Sequence, residues 1–314
     1  MKSSSAGRSM EKIKVICVVG ATASGKTALA VSIAKAVGGE IISADSMQVY
    51  RGMPIATAAA TKEEQQGIPH HLLEFLSPDE SFSVAEFTAL AKKKIAEIHS
   101  RGKVPIIAGG TGLFIDSLIN NISFSDVSID EELRQRLSEK DTDELYNELL
   151  SVDGEAAEGI HKNNRKRVIR ALELYYGGVS KTEQNRNSRL AESPYDALYI
   201  GINCRDREKL YERINLRVDR MLENGLVSEA REALGKTGKT SSQAIGHKEL
   251  QPYIEGKISL DEAVENLKRE TRRYAKRQLT WFRKNKNVRW VYTDGENDFP
   301  EVEAISLAKE FLKD

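Results

Sequence analysis

Among 314 residues there are two cysteines, seven prolines, two tryptophans and no net charge. Each scarcity closes off a class. Cys17 and Cys204 are too few for a disulfide framework and show no metal-ligand spacing. Cys17 stands in an apolar run and reads as core rather than as a reactive thiol. No apolar stretch approaches the ~20 residues that a bilayer-spanning helix needs. The polar opening "MKSSSAGRSM" lacks the apolar segment of a signal peptide, so residues 1–12 are expected to be a disordered tail. A formal charge of zero argues against a uniformly basic nucleic-acid binder. What remains is a cytosolic composition, 40% hydrophobic and 30% charged, with length for about two domains.

The zero total hides patches. From Ser125 to Ile160 about a dozen acids stand against about three bases. "HKNNRKRVIR" then turns basic with Lys162, Arg165, Lys166, Arg167 and Arg170, and "NLKRETRRYAKRQLTWFRKNK" does so on a larger scale. In the latter, Arg269, Arg273 and Lys276 or Arg277 share one helical face, with Tyr274, Trp281 and Phe282 interleaved. Glu265 and Glu270 are too few to balance them, which favours anion binding, to diphosphate or RNA backbone, over a merely solvated face. His70 and His71 lack an i, i+4 partner and a cysteine; loop packing rather than metal binding is expected of them.

"GATASGKT", Gly20 to Thr27, follows the apolar run "VICVV" and leads into a helix-like stretch from Thr27 to Ala36. Its G-x-x-x-x-G-K-[ST] spacing is that of a phosphate-binding P-loop. Small residues let backbone N–H groups close around an anion, and the helix that follows adds its free amides and positive dipole end. Adjacent phosphates are therefore expected at Gly20, Ala21, Thr22, Ala23, Ser24, Gly25, Lys26 and Thr27. The motif does not say whose phosphates, and a nucleoside triphosphate is the default.

Residues 13–120 alternate strand and helix: "KVICVV", the P-loop helix, "GEIISAD", the amphipathic "VAEFTALAKKKIAEIHSRG" and "KVPIIAGGTG". Residues 121–195 carry no comparable strand signal and read as an inserted helical domain; "YDALYIGINC" returns to strand, and "NVRWVYT" is a last one. The expected fold is α/β, a P-loop NTPase-like parallel sheet with helices on both faces, its core formed by 13–120 and 196–314. Ligands in such sheets sit at the carboxyl ends of the strands, so the P-loop, Asp45 after "IISA" and Thr111 after "AGG" should surround one pocket. Asp45 is the only carboxylate at a suitable strand end, as a metal-holding or basic group or else as a turn aspartate.

Seven blocks in order, "GATASGKT", "ISADSMQVYRGM", "AGGTGLFI", "HKNNRKRVIRALELYY", "LYERINLRVDRML", "AIGHKEL" and "AKRQLTWFR", resemble those of the bacterial tRNA dimethylallyltransferases, or tRNA isopentenyltransferases. They span nearly the whole chain after the tail. The resemblance implies transfer of a dimethylallyl group from dimethylallyl diphosphate to N6 of the adenosine 3′-adjacent to the anticodon. The P-loop would then cradle a diphosphate leaving group, with Lys26 neutralising it, Thr27 on Mg²⁺ and Arg217 assisting. Asp45 would be the base for the N6 proton, and Thr111 would hold Asp45 or the adenosine. Ser46, Met47 and Gln48 would contact the target nucleotide. Arg134, the run Lys166, Arg167, Val168, Ile169 and Arg170, and the run Gln243, Ala244, Ile245, Gly246, His247 and Lys248 would grip the anticodon stem-loop. His247 also reads, by its isolation, as a polar contact. The implied partners are tRNA and dimethylallyl diphosphate, with no membrane, for a monomeric cytoplasmic enzyme.

The chain departs from the family pattern after Arg51. "MPIATAAAT" stands where a segment like "MDIGTAKPT" is usual, so Pro54, Ala56 and Ala59 replace an acid, a glycine and a lysine. Competing readings are an adenylate isopentenyltransferase, a P-loop kinase or NTPase, and a non-catalytic RNA-binding protein. The basic blocks and helical insert favour RNA over a free nucleotide, and an RNA binder alone would leave the P-loop and Asp45 unexplained.

Overall fold

The computed structural model describes residues 11–124, 130–188, 192–238 and 240–313. The tail expected over residues 1–12 lies outside them as far as residue 10. The chain divides into two compact units, Met1–Ile119 with Pro194–Asp314, and Asn120–Ser193.

The larger unit is built on six parallel strands: β1 (Ile13–Gly20), β2 (Gly39–Ser43), β3 (His70–His71), β4 (Val104–Gly109), β5 (Tyr195–Asn203) and β6 (Val288–Tyr292). They lie in the order β3-β2-β4-β1-β5-β6. β1 is apolar at almost every position because both of its faces are covered. Val15, Cys17 and Val19 face a layer that includes Phe87, Ala91, Ile95 and Ile98 of the helix Val84–Ser100. Ile16 and Val18 face Leu29, Ala30 and Ile33 of the P-loop helix Lys26–Val37, with Ala304 and Ala308 of the last helix, Pro300–Lys313. The strand period of two thus persists inside a continuous hydrophobic run.

Register fixes what shares an edge of the sheet. Val19 pairs with Gly109, Gly20 with Ile202, and Ser43 with Ala108, so β1, β2, β4 and β5 finish level with one another. The P-loop, the Ala44–Asp45 turn and the Gly110–Thr111 turn all leave from that edge.

Among the elements not foreseen from the sequence, two bear directly on the sheet. His70–His71 is an edge strand rather than loop, paired with Ile41 and Ile42. His71 Nε2 and Arg101 Nη2 both meet Glu40 Oε2 at 2.7 Å. Burial opposes the Glu40 charge, but these two partners outweigh it and hold its pKa below the ordinary value. The helix Pro300–Lys313, the other, covers one face of the sheet. No helix among the described residues is long and apolar enough to cross a membrane.

The smaller unit is helical throughout its described residues: Glu131–Glu139, Thr142–Val152, Gly154–Glu158, Arg165–Tyr176 and Lys181–Asn187. The acids that dominate its composition have local work. Asp130, Asp141 and Asp153 each accept a backbone N–H at a helix start. Leu137, Leu145, Leu149, Val168, Ala171 and Leu172 form its core.

Candidate active site

The P-loop closes because its backbone takes conformations that small residues tolerate. Ala23 (φ 59°) and Gly25 (φ 95°) are both left-handed, which turns successive amides toward one side. Gly20 is needed for a close approach, since a Cβ there would stand 2.5 Å from the Ile202 carbonyl oxygen. Ser24 is buried with an Oγ that has no hydrogen-bond partner, and Thr27 is half-buried with no side-chain hydrogen bond among the described residues.

Lys26 reaches back to the Ala21 carbonyl oxygen. Burial, and after it neighbouring Arg217, lower its pKa to about 8, with Asp45 working in the opposite direction. Burial likewise lowers the pKa of Arg217, against the pull of Asp45 and Glu64. Arg217, from the helix Arg207–Glu223, makes no hydrogen bond or ion pair among the described residues. Lys26, Arg217 and Asp45 therefore share one electrostatic neighbourhood though they come from three separate elements. Two desolvated cations, of which Arg217 depresses Lys26, form a neighbourhood suited to an anion.

Asp45 is half-buried just past β2. Its Oδ1 accepts the backbone N–H of Met47 at 2.9 Å and of Gln48 at 3.4 Å. It is a turn aspartate as well as a carboxylate beside the P-loop, because one oxygen orders the turn while Oδ2 makes no hydrogen bond.

Thr111 departs from the expectation that it holds Asp45. Its Oγ1 accepts the Ser46 N–H at 3.2 Å, so it fixes the residue after the carboxylate. The Met47 side chain packs against the apolar core. The Gln48 amide is fully engaged inside the protein: Nε2 donates to the carbonyls of Thr57 and Ala58, and Oε1 accepts from Ser43. Gln48 thus holds the segment after Arg51, and its side chain reaches protein rather than a nucleotide.

In the helical unit Lys166 and Arg167 are exposed and free of side-chain partners among the described residues. Val168 is buried in the core and Ile169 packs against it, so these side chains are structural rather than RNA contacts. Arg134 and Arg170 both bind the carboxylate of Glu173, which is only 2% exposed. Arg134 grips it through two nitrogens and is half-buried itself, which commits it to the fold.

The run Gln243 to Lys248 separates in the same way. Gln243 and Lys248 are exposed, Ala244 is buried in the core, and Ile245 packs in a second apolar cluster. Gly246 has a left-handed backbone, φ 115°. His247 is buried and bonds Glu229 Oε1 through Nε2 at 2.9 Å, the polar contact expected of it and not an exposed RNA grip.

Three residues were missed. Gln278 accepts the Thr22 N–H at 2.8 Å and donates to the Gly110 carbonyl at 3.1 Å, tying the P-loop to the turn that carries Thr111. A Cβ on Gly110 would lie 2.0 Å from the Gln278 nitrogen, which is why that turn is glycine. The hydroxyl of Tyr274, one helical turn earlier, is within reach of Thr111 and Gln278. Burial and then the Asp45 charge raise its pKa. A signal existed, since Gln278 is a polar residue on the buried stripe Thr271, Ala275, Leu279 and Phe282. Glu229 is the third, and nothing in "LVSEAREA" marks it.

No group of three His, Cys, Asp or Glu side chains that could hold a metal occurs among the described residues. A divalent ion here would have to share its ligands with phosphate oxygens, and the unpartnered Thr27 hydroxyl beside Lys26 suits that arrangement.

The family model described as IPP transferase matches residues 48–285. A tRNA dimethylallyltransferase of Acetivibrio thermocellus is 54% identical over 289 residues, 89% of this chain and 92% of the relative. The crystal structure of a tRNA isopentenylpyrophosphate transferase from Bacillus halodurans superposes with a TM-score of 0.72 at 44% identity, covering 96% of this chain and 99% of that one. A eukaryotic dimethylallyltransferase, crystallised acting on tRNA, gives a TM-score of 0.83 at 30% identity, covering 96% of this chain and 80% of its own. With a P-loop, a strand-end aspartate and two flanking cations on one edge of the sheet, and with these relatives along most of its length, the chain belongs to the IPP transferase family.

Proposed function

We propose that this protein transfers a dimethylallyl group from dimethylallyl diphosphate to N6 of the adenosine 3′-adjacent to the anticodon of tRNA. The observation that carries the reading is the shared neighbourhood of Lys26, Arg217 and Asp45: an anion site for a leaving group beside a carboxylate able to take a proton.

An adenine amine is a weak nucleophile, and its target carbon must lose a diphosphate. In the transfer a bond forms between N6 and the allylic C1, the C1–O bond breaks, and the diphosphate leaves with the electron pair. The N6 proton passes to Asp45, whose Oδ2 is unengaged while Oδ1 holds the turn in place. Lys26, Arg217 and the P-loop amides stabilise the charge that grows on the leaving oxygens. Ser24 Oγ, a loop hydroxyl buried without a partner, is a further donor. Mg²⁺, held by Thr27 and the diphosphate, would supply additional charge neutralisation. The adenosine must leave its stack to reach Asp45. Lys166, Arg167, Gln243 and Lys248 offer exposed polar or basic groups to the anticodon arm. Two free, buried cysteines suit a reducing compartment, which fits a cytoplasmic enzyme, and we take it to act as a monomer.

The test is incubation of the protein with labelled dimethylallyl diphosphate and unmodified tRNA, followed by nucleoside analysis, with AMP as a second acceptor. Label in N6-isopentenyladenosine from tRNA supports the reading. Label on AMP alone would make the protein an adenylate isopentenyltransferase.

A further inference from the structure

The carboxylate of Glu229 has three hydrogen-bond donors around it. Oε2 accepts the Ile55 N–H at 2.8 Å, and Oε1 accepts both the Ala56 N–H at 2.9 Å and the Nε2–H of His247 at 2.9 Å. An ionised carboxylate accepts from all three at once, with His247 donating through Nε2–H. Glu229 and His247 are both buried side chains, 9% and 7% exposed, so the arrangement is not a surface contact.

The two amides open the short helix Pro54–Thr57, in the segment where this chain departs from its family. Pro54 at the first helical position has no N–H to lose there. At the far end of the helix the carbonyls of Thr57 and Ala58 accept from Gln48 Nε2, and the backbone N–H of Gln48 points at Asp45 Oδ1. One continuous path of hydrogen bonds runs from His247, next to the exposed Lys248, through Glu229, the helix and Gln48 to Asp45.

We infer that Glu229 is a positioning residue that sets Asp45 by anchoring the Pro54–Thr57 helix from behind and joins it to the Gln243–Lys248 segment. The inference rests on the reading of Asp45 as the base. Glu229 and Gln48 hold this segment through its backbone groups, beside the packing of Met53, Ile55 and Ala56. A role confined to stability would lower the melting temperature and leave the transfer rate of the folded enzyme intact. A positioning role slows transfer while leaving donor binding alone, because the P-loop is outside the path.

The experiment is a cycle of Glu229→Gln, Gln48→Leu and the double variant in the full chain. It reads single-turnover transfer at saturating dimethylallyl diphosphate and anticodon stem-loop RNA, donor KM and melting temperature. Glu229→Gln should slow transfer at least tenfold with donor KM within threefold of wild type, and Glu229→Asp, which keeps the charge, should recover part of the rate. The double variant should be no slower than the slower single variant, because both cut the same path. Losses that multiply, or Glu229→Gln within threefold of wild type, overturn the inference. Should Glu229→Gln not fold, Glu229→Asp in the Gln48→Leu background decides: a further slowing overturns the inference and its absence supports it. Asp45→Asn alone tests the base, so the two readings can fail separately.

Discussion

Gln278 and Thr22 are 256 residues apart in the chain, and a 2.8 Å hydrogen bond from the Thr22 amide to the Gln278 side chain joins the phosphate loop to the long basic helix. Because Gln278 also bonds the Gly110 carbonyl, the donor loop and the Thr111 turn are held by a single amide.

Gln278→Glu should therefore weaken donor binding more than tRNA binding. The carboxylate still accepts from Thr22 but donates nothing to Gly110 and adds negative charge near the diphosphate. A buried carbonyl left unpaired costs about 1–3 kcal/mol, roughly five- to 150-fold in an equilibrium constant. Donor KM should rise within that range; an unchanged donor KM with weakened tRNA binding would reverse the assignment.

Donor binding should depend on pH through Lys26. Its pKa of about 8 lies below the ordinary 10.5 because burial, and then Arg217, disfavour its charge. A diphosphate favours the charged form, so above pH 8 binding takes up a proton and affinity falls with rising pH. The sign for stability is the reverse. Between about 8 and 10.5 the unfolded chain holds the proton that the fold has lost, so the donor-free protein gains stability from this group as pH rises. Calorimetry at pH 9 in buffers of differing ionisation heat should show proton uptake in wild type and none in Lys26→Ala. Equal uptake in both would assign it to another group. Lys26→Ala should also raise donor KM with tRNA affinity nearly unchanged.

The basic residues of the helical unit divide into two kinds. Neutralising Lys166 and Arg167 should flatten the salt dependence of tRNA binding by roughly one unit per lost phosphate contact, without changing the melting temperature. Arg134→Ala should instead destabilise the unit by about 1–3 kcal/mol, since it strips the buried Glu173 of its bidentate partner and leaves Arg170 alone to pair it. An unchanged salt slope in the first variant, or an unchanged melting temperature in the second, would exchange their roles.

Asp45→Asn keeps the shape of the turn, because the amide oxygen can still accept from Met47 and Gln48. It removes the basicity. Single-turnover transfer should fall ~10²–10⁴-fold with saturating tRNA, with tRNA and donor affinities changed far less. A Mg²⁺ series distinguishes the alternative: recovery at high metal would make Asp45 a metal-ordering group.

Much of this protein is legible in local pattern. The apolar run before Gly20, the spacing of Gly25, Lys26 and Thr27, and the turn residues after β4 are contiguous signals, and each depends on interactions within a few residues. They suffice for a parallel sheet, a phosphate loop and a carboxylate at the neighbouring strand end. The edge strand His70–His71 escapes such reading because two residues have no periodicity; only their pairing with β2 makes them strand.

The tertiary structure decided the rest, and the reason is that burial and charge pairing are not local. Lys166 and Arg170 look alike in "RKRVIR", but Arg170 faces Glu173 and Lys166 faces water. Gln48 and Asp45 lie in one block, yet packing turns the Gln48 amide toward Thr57 and Ala58 and leaves Asp45 an unengaged oxygen near Lys26 and Arg217. Glu229 carries no motif, and the block that holds Gln278 does not reveal its role, because their partners, Ile55, Ala56, Thr22 and Gly110, are more than a hundred residues away. The sequence by itself determined the sheet and the chemistry at its edge; which polar side chains stay free for a substrate was settled only when the fold used up the others.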